Sequence, residues 1–293
     1  MIITHISGGL GNQMFQFAAG YSLARFKETR LMLDTSDYAR VRMHDGFLLD
    51  RVFDIKADVA GPGDTISVLG LFGIPLAFRV FKKIRKGVLI GGYVRERQPF
   101  VYRPDFFETA PADCYLHGSW QSERYFAHEI EAIKTMYTFK PRAIPDEVKR
   151  LGEEAGRQNS VAIHVRRGDF ANDPKLNRIY GTCGTDYYER AMACMRQRVD
   201  RPHFYLFSDE PTWVRQHFQL DGCTVVDAGM HYGSWNDMFL MSRCRHNITA
   251  NSTFSWWGAW LNSNPHKIVV TPREWDLVGT DMPDLIPHSW VRV

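Results

Sequence analysis

The sequence predicts an α/β protein of two domains, and three observations lead to this prediction. Its 293 residues are long for one compact core and comfortable for two domains. Hydrophobic residues make up 44% and charged residues 24%, a balance typical of globular chains. Short, β-branched apolar segments alternate with segments of helical periodicity, once near the N-terminus and again from about residue 160 to 270.

The first alternation occupies the N-terminal end of the chain. Residues 2–6 (IITHI) are apolar and β-branched, which predicts a buried strand. A glycine-rich turn at 7–12 follows, and residues 13–26 carry apolar side chains at helical spacing. Residues 31–34 then predict a second strand, so this segment is a β-loop-α-β unit of a parallel sheet.

The middle of the chain is less regular. Residues 113–121 predict a strand and a loop, and residues 123–137 predict a helix. Pro141 and Pro145 flank a short non-helical link, which we interpret as a domain boundary. The predicted domains are residues 1–142 and 143–293.

The second alternation predicts a doubly wound domain. Strands are predicted at 161–165, 203–207, 224–226, 247–249 and 267–270, with helices at 186–198, from Pro211, at 235–243 and at 253–261. In such folds ligands bind beside the carboxyl ends of the strands. We therefore expect the ligand site in a cleft between two such domains.

Charge and cysteine content exclude several classes of protein. With 36 basic and 33 acidic residues the net charge is +3, which gives no bulk electrostatic argument for nucleic acid binding. The five cysteines are odd in number and lack C-x-x-C spacing, so reduced thiols are expected rather than disulfides or a zinc site. The N-terminus has no pattern of a signal peptide. These features predict a cytoplasmic protein.

Two alternatives are open for residues 66–86. Residues 66–78 (ISVLGLFGIPLAF) are apolar but too short to span a bilayer, which needs about 20 residues. The favoured alternative is a buried helix with a solvated basic end. Because a basic run follows the apolar residues, the segment could instead form an interfacial patch at the inner membrane face.

The glycine-rich turn is a candidate ligand loop. Gly9 and Gly11 fit part of the G-x-G-x-x-G pattern, but Met14 stands at its third glycine position. Glycines before a helix allow a phosphate or a sugar to approach backbone N–H groups, and Asn12 adds a polar side chain. Asp34, at the end of the next strand, stands near where a ribose-binding carboxylate would lie. A tight turn without a ligand is the alternative.

Residues 164–169 (HVRRGD) give a sharper signal at the end of a predicted strand. His164 and Arg166 lie on one face because side chains alternate along a strand. Arg166 and Arg167 suit a phosphate, which guanidinium groups bind in a bidentate manner. Asp169 could orient an arginine or act as a base. The alternative is an Arg–Asp pair that fixes the turn.

Three further segments complete the candidate site. Asp209 follows the next strand and could read a purine or cap the helix that begins at Pro211. The polar start of the helix near 253 could hold a phosphate, while its tryptophans indicate core packing. Residues 117–121 carry an aromatic ring and polar donors and could face a carbohydrate. The candidates at the helix start are Ser252, Thr253, Phe254 and Ser255. Those in the carbohydrate-facing segment are His117, Trp120 and Gln121.

Taken together, these segments resemble the α-1,2-fucosyltransferases of glycosyltransferase family 11. The matching segments are 6–24 (ISGGLGNQMFQFAAGYSLA), 116–126 (LHGSWQSERYF), 164–169 (HVRRGD), 207–210 (FSDE) and 251–261 (NSTFSWWGAWL). They occur in the expected order between residue 2 and about residue 275. Residues 35–110 contain no motif that matches.

The resemblance implies a GT-B-type fold, in which two Rossmann-like domains face a cleft, and a GDP-fucose donor bound mainly by the C-terminal domain. It implies inverting transfer of fucose to the 2-hydroxyl of a terminal galactose, on an oligosaccharide or a surface-polysaccharide repeat unit that could be lipid-linked. It implies no cofactor and no metal, and the chain has no D-x-D triplet.

The resemblance also implies roles for the candidate residues. The catalytic group would be Arg166, Arg167 and Asp169, with Arg166 holding the diphosphate. The donor-binding residues would be His164 and Asp209 at the nucleoside, Ser252, Thr253, Phe254 and Ser255 at the β-phosphate, and Gly9, Gly11 and Asn12 from the N-terminal side. The acceptor-binding residues would be His117, Trp120 and Gln121.

The catalytic base is not determined by the sequence. Inverting transfer removes a proton from the acceptor hydroxyl late in the step. Asp169, Asp173, Asp34 and Asp37 are all candidates. Asp169 is favoured slightly, and more as a residue that orients Arg167 than as a base.

Other functions remain open from the sequence. An oxidoreductase could bind a nicotinamide dinucleotide at the glycine loop and Asp34, but this leaves residues 164–169 unexplained. A non-catalytic glycan-binding module would leave the anion-ready helix starts unexplained. A protein O-fucosyltransferase is expected to carry a secretory signal, and no such pattern is present.

Overall fold

The computed structural model of the protein describes residues 1–39, 45–74 and 91–293. The chain divides into two compact units. The first unit contains Met1–Thr138 and Met282–Ile286, and the second contains Phe139–Asp281 and Pro287–Val293. The boundary predicted after residue 142 lies just beyond this division. The return of Met282–Ile286 to the first unit has no signal in the sequence.

Parallel strands form the sheet of the first unit. They are β1 (Ile2–His5), β2 (Leu31–Asp34), β3 (Asp58–Val59), β4 (Tyr93–Arg95) and β5 (Cys114–His117). Their order is β3–β2–β1–β5–β4, and every pair is parallel. The apolar central strand β1 is completely buried, as its β-branched composition predicts.

Helices of very different lengths surround this sheet. They are α1 (Leu10–Phe26), α2 (Leu49–Val52), α3 (Pro62–Leu69), α4 (Phe106–Thr109) and α5 (Ile130–Met136). Helix α1 begins in the glycine turn, three residues before the predicted start, and buries most of its length. The helix predicted at 123–137 is interrupted, because Phe126 has non-helical backbone angles and Glu123–Glu129 forms a 3-10 helix instead.

The second unit contains the predicted doubly wound sheet. Its strands are β6 (Ser160–Val165), β7 (His203–Ser208), β8 (Cys223–Val226), β9 (His246–Ile248), β10 (Val269–Thr271) and β11 (Val291–Arg292). They lie in the order β11–β10–β9–β6–β7–β8, and the pairs are parallel. The helices are α6 (Asp146–Arg157), α7 (Gly168–Asn172), α8 (Pro174–Tyr180), α9 (Thr185–Arg196), α10 (Pro211–His217), α11 (Ala228–Tyr232), α12 (Trp235–Arg243) and α13 (Thr253–Trp260).

Each sheet has a point at which the direction of strand order reverses. In the first unit this point lies between β1 and β5, and in the second it lies between β6 and β9. Loops diverge there and leave a crevice outside the carboxyl ends of the strands, where α/β proteins bind ligands. The glycine turn and residues 118–121 flank the first crevice, and residues 166–169 and 249–252 flank the second.

The segment that could touch a membrane is described only in part. Residues 66–74 cover the end of α3 and the 3-10 helix Gly70–Gly73, and the basic residues 79–86 lie outside the described ranges. Leu71 and Ile74 are exposed, so the buried-helix alternative does not describe this end of the segment. Within the described ranges, every helix is too short or too polar to cross a membrane.

Candidate functional site

His164 lies near the end of β6, beside the crevice of the second unit. Its imidazole is buried, and its Nδ1 has no hydrogen-bond partner among the residues that the structure describes. Burial, with a smaller contribution from the Arg166 charge, lowers the pKa of His164 to about 3. The ring of Phe254, from α13, lies 5.5 Å away between centroids. The two motifs that flank the crevice are therefore in contact, and the imidazole is neutral at physiological pH.

Arg166 is held between two carboxylates where β6 ends. Its guanidinium donates to Asp209 Oδ2 at 2.6 Å and to Asp169 Oδ1 at 2.5 Å. The face of Phe170 lies 5.4 Å from the guanidinium carbon. The Arg–Asp pair considered as an alternative is thus present, and it aims the guanidinium from the carboxyl edge of the sheet.

Arg167 is oriented by a second set of contacts. Its Nε donates to Glu210 Oε2 at 3.0 Å, and its guanidinium lies 3.9 Å from the ring centroid of Trp213. Asn172 Nδ2 binds the other oxygen of Glu210 at 3.1 Å. The expectation that Asp169 orients Arg167 is not what the structure shows, because Asp169 pairs with Arg166 and Glu210 pairs with Arg167.

Asp209 links the loops that follow β6 and β7. Its Oδ1 accepts from the backbone N–H of Arg167 at 2.9 Å, while Oδ2 accepts from Arg166. It does not cap α10, whose N-cap residue is Glu210, without a side-chain capping bond. Burial raises the pKa of Asp209, and the Arg166 charge offsets part of that shift. A Cβ on Gly168 would lie 2.5 Å from Asp209 Oδ2, so this contact requires glycine there.

The start of α13 is polar, as the sequence predicts. Ser252 is the N-cap residue, and its side chain accepts from the N–H of Phe254 at 3.3 Å. Ser255 turns inward, where its hydroxyl accepts from the N–H of Ala250 at 3.2 Å. Ser252, Thr253 and Phe254 are partly exposed, whereas Ser255 is buried. The tryptophans of α13 pack in the core, as the composition indicates, and they are Trp256, Trp257 and Trp260.

In the first unit the glycine turn meets the loop after β5. Gly8 has a φ of +77°, and a Cβ there would lie 2.7 Å from Asn12 Nδ2. Asn12 Oδ1 accepts from Gln121 Nε2 at 3.0 Å. Gly9 precedes α1 without a side-chain cap, and Gly11 is buried in its first turn. The fold thereby joins candidate residues that are far apart in the sequence.

Two glutamines that sequence reasoning missed support this junction. Gln13 donates to the carbonyl oxygens of Gly8 and Gly46 and accepts from the N–H of Leu48. Gln16 accepts from the N–H of Ser7 at 2.9 Å and donates toward the carbonyl of Gly118 at 3.3 Å. Both side chains are buried in α1, which is buried on nearly all sides, and two amides inside this largely apolar segment were the available signal.

Trp120 does not form an exposed platform for a sugar. Its indole is 1% exposed and packs against Phe106 and Tyr125, with centroids 5.1 and 5.3 Å away. In this arrangement neither face of the ring is open, which argues against its predicted role in stacking. Glu96, which sequence reasoning also missed, accepts from the N–H groups of Ser119 and Trp120 at 2.7 and 3.0 Å. Burial raises the pKa of Glu96, and these two hydrogen bonds offset part of that shift.

Titratable side chains gather at the ends of β1, β2 and β5. His5 Nε2 lies 2.9 Å from Asp37 Oδ2, and the rings of His5 and His117 are 4.9 Å apart. His117 Nδ1 is in hydrogen-bond contact with the hydroxyl of Tyr93. Asp34, considered for a ribose, instead accepts from the hydroxyl of Tyr115 at 2.6 Å.

Comparison with known proteins identifies the family. The family model described as glycosyl transferase family 11 matches residues 97–277. The chain belongs to this family. It is 30% identical to the O-antigen biosynthesis glycosyltransferase WbnK of Escherichia coli, covering 98% of the chain and 99% of that protein. It is 29% identical to an α-1,2-colitosyltransferase of Escherichia coli, covering 100% of the chain and 99% of that protein.

The architecture is also similar to that of a solved fucosyltransferase. The structure of POFUT1 in complex with GDP-fucose matches with a TM-score of 0.51 at 12% identity, covering 92% of this chain and 97% of that one. This likeness concerns the fold alone. The predicted recognition, an enzyme of glycosyltransferase family 11, and the predicted α/β fold of the GT-B type are confirmed.

Metal-ligating side chains do not form a cluster in the part of the chain that the structure describes. No three His, Cys, Asp or Glu side chains come together there in a way that would hold a metal ion. The charge available beside the second crevice comes from Arg166 and Arg167.

Proposed function

We propose that the protein transfers fucose from GDP-fucose to the 2-hydroxyl of a terminal galactose, with inversion. The supporting observation is Arg166, which extends from the carboxyl end of β6 at the reversal point of a doubly wound sheet. A guanidinium there suits the β-phosphate that becomes more negative as the glycosyl bond breaks. Membership in glycosyltransferase family 11 supports the reaction class.

The donor half of this proposal uses the second unit. Arg166 would keep its bonds to Asp169 and Asp209 and bind the diphosphate with its other N–H groups, since these bonds use only two of the five N–H donors of a guanidinium. The unpartnered Nδ1 of His164 and the ring of Phe254 would contact the nucleoside. The partly exposed N-terminus of α13, at Ser252 and Thr253, adds backbone N–H groups and a favourable dipole.

The acceptor half uses the uncharged junction in the first unit. Asn12 and Gln121 present amide groups, and His117 adds an imidazole in the same loop. Amides and neutral imidazoles match the hydroxyl groups of a sugar, which both donate and accept hydrogen bonds. Gly9 and Gly11 leave the turn free of bulky side chains.

GDP-colitose is a second candidate donor, because the α-1,2-colitosyltransferase matches over the full length of both proteins. Colitose differs from fucose by lacking the 3-hydroxyl, so the same diphosphate site would serve either donor. A site that hydrogen-bonds the 3-hydroxyl would reject the deoxy sugar strongly, whereas a site that merely accommodates it would accept both.

We propose a cytoplasmic location with peripheral contact at the inner membrane face. All five cysteines are free thiols, in agreement with a reducing compartment. The exposed apolar residues of 66–74 precede the basic run at 79–86, and they are Ile66, Leu71, Phe72 and Ile74. This contact would suit a lipid-linked acceptor. Replacing Leu71 and Ile74 by Ser should reduce co-sedimentation with anionic vesicles; unchanged co-sedimentation would contradict the contact.

The experiment that tests the function combines binding and product analysis. A thermal-shift series with GDP, GDP-fucose, UDP, ATP and NAD should show stabilisation by the two guanine ligands alone. GDP-fucose with a β-galactoside should then give an α-1,2-linked product identified by NMR, and a 2-deoxygalactoside should give none. Stabilisation by NAD alone would favour an oxidoreductase, and binding without product would favour a glycan-binding module.

A further inference from the structure

Four carboxylates are candidates for the base of the proposed transfer, and the structure accounts for each. Asp173 caps α8 and accepts from the backbone N–H of Lys175 at 2.8 Å. Asp169 is paired with Arg166. Asp34 accepts from the hydroxyl of Tyr115 and the N–H of Ser36, and burial opposed by these bonds leaves its pKa lowered.

Asp37 differs from these three because its partner can itself accept a proton. Its Oδ2 lies 2.9 Å from Nε2 of His5, the last residue of the central strand β1. A carboxylate beside Nε2 favours the tautomer in which Nε2 carries the proton, so Nδ1 keeps its lone pair. Nδ1 of His5 makes no hydrogen bond to the described residues. Some buried side-chain atoms of those residues lack a partner, and Nδ1 of His5 is not one of them.

The turn that carries Asp37 is fixed from several directions. Asp34 accepts from the N–H of Ser36 at 2.9 Å, and the N–H of Tyr38 binds the carbonyl of Thr35 at 3.1 Å. The hydroxyl of Tyr38 donates to the carbonyl of Gly8 at 2.6 Å. The turn that carries Asp37 is therefore tied through Tyr38 to the same glycine turn that we assign to the acceptor half of the site.

We propose that His5, oriented by Asp37, is the catalytic base that accepts the proton of the acceptor hydroxyl. This inference rests on the proposed function. The acceptor oxygen forms a bond to the anomeric carbon of the donor, and its proton passes to Nδ1 of His5. The bond from that carbon to the β-phosphate oxygen breaks, and its electron pair leaves with GDP. Asp37 stabilises the imidazolium that results.

The surroundings of His5 are rich in titratable groups. They are Asp34 and Asp37 from the β2 side and Tyr115 and His117 from the β5 side. The reaction needs the lone pair of a neutral imidazole, and Asp37 is the carboxylate that contacts this imidazole and can stabilise the positive charge it gains with the proton.

The test compares variants of the full chain under saturating donor and acceptor. His5→Gln retains a group that can bind Asp37 but lacks a base, and we expect kcat to fall by about 10²- to 10⁴-fold. The melting temperature and the Kd for GDP should remain near those of the unchanged protein. In His5→Ala, added imidazole should restore transfer in proportion to its neutral form. Asp37→Asn should keep part of kcat, because the amide can still orient the imidazole but does not stabilise the imidazolium as a carboxylate does.

Asp173→Asn is the control for Asp37→Asn, because both replace a carboxylate by an amide. Asn also caps helices well, so α8 should keep its cap. We expect this variant to transfer at nearly the unchanged rate. Transfer by His5→Gln within threefold of the unchanged protein, or loss of transfer in folded Asp173→Asn, would overturn the assignment while the proposed function stands. If the unchanged protein forms no α-1,2-linked product from GDP-fucose, the proposed function itself fails.

Discussion

The carboxyl edge of each sheet has a reversal point of strand order, and different kinds of side chain join the loops at the two edges. In the first unit, amides join the loops at the reversal point, as in the bond between Gln121 and Asn12. In the second unit, ion pairs join them, with Arg166 between Asp169 and Asp209. Uncharged amides suit the hydroxyls of a sugar, whereas aimed guanidinium groups suit a diphosphate. One architecture therefore offers two kinds of ligand site, and the loop residues make the difference.

The largest expected effect comes from removing the guanidinium of Arg166 at the carboxyl edge of the second sheet. Arg166→Ala should lower kcat by about 10³-fold, because a fixed positive charge at the leaving phosphate is lost. Arg166→Lys should recover only part of the rate, since an ammonium cannot form the paired, planar bonds of a guanidinium. Initial rates of GDP release measure both effects, and far-UV circular dichroism checks the fold. If Arg166→Ala turned over within tenfold of the unchanged protein, the second edge would not be the diphosphate site that the comparison assigns to it.

His164 and His5 should have different roles, although His5 ends a central strand and His164 lies near the end of one. The pKa of His164 is about 3, so its imidazole stays neutral from pH 5 to 9 and contributes no limb to the pH profile in that range. His164→Phe should weaken GDP binding about tenfold through the loss of a hydrogen bond, and the shape of the pH profile of kcat should remain unchanged. Isothermal titration measures the Kd, and kcat between pH 5 and 9 gives the profile. A limb of the profile that disappears in His164→Phe would contradict the expectation.

Asp237 is a buried carboxyl group near the carboxyl edge of the second sheet, where other carboxylates surround it. Burial, with the charges of Asp227 and Asp209, raises the pKa of Asp237 to about 7. The folded state therefore holds this proton more tightly than the unfolded state, and stability is lost as the pH rises from about 4 to about 7. Asp237→Asn can still accept from the N–H of Gly229, so we expect it to gain a few kcal/mol above pH 7 and little near pH 4.

Urea unfolding at pH 4.5, 6 and 8 measures this dependence. Asp58→Asn is the control, because Asp58 is exposed and should change stability little at any of these pH values. If Asp237→Asn were less stable than the unchanged protein at pH 8, the charge of Asp237 would be stabilising and the expectation wrong.

The smallest effect on catalysis is expected at Trp120. A substitution there distinguishes a side chain that packs in the first unit from one that binds the sugar. Trp120→Phe should cost about 1–2 kcal/mol of stability through loosened packing against Phe106 and Tyr125. It should change the KM for the galactoside by less than twofold. A tenfold rise in KM with an unchanged melting temperature would show that a sugar reaches this ring.

The sequence predicted the elements whose signals are local. Strand β1, helix α12 and the capped start of α13 come from periodicity and from Ser252, and the structure has them within a few residues. Strand β4 and Glu96 escaped prediction, because their roles depend on pairing with β5, which is distant in the chain. The backbone partner of Asp209 escaped prediction for the same reason. A helix cap was one prediction for it, but the approach of the loop after β6 makes the Arg167 N–H its partner.

The short return of Met282–Ile286 to the first unit has a consequence for how the chain is made. Leu285 and Ile286 are buried there, and Asp284 binds the N–H of Tyr102 and the guanidinium of Arg124. These residues are synthesised after Phe139–Asp281, so the unit begun first cannot be completed until most of the second unit has been made. A truncation after Asp281 would remove this closing segment together with strand β11, and so would damage both units at once.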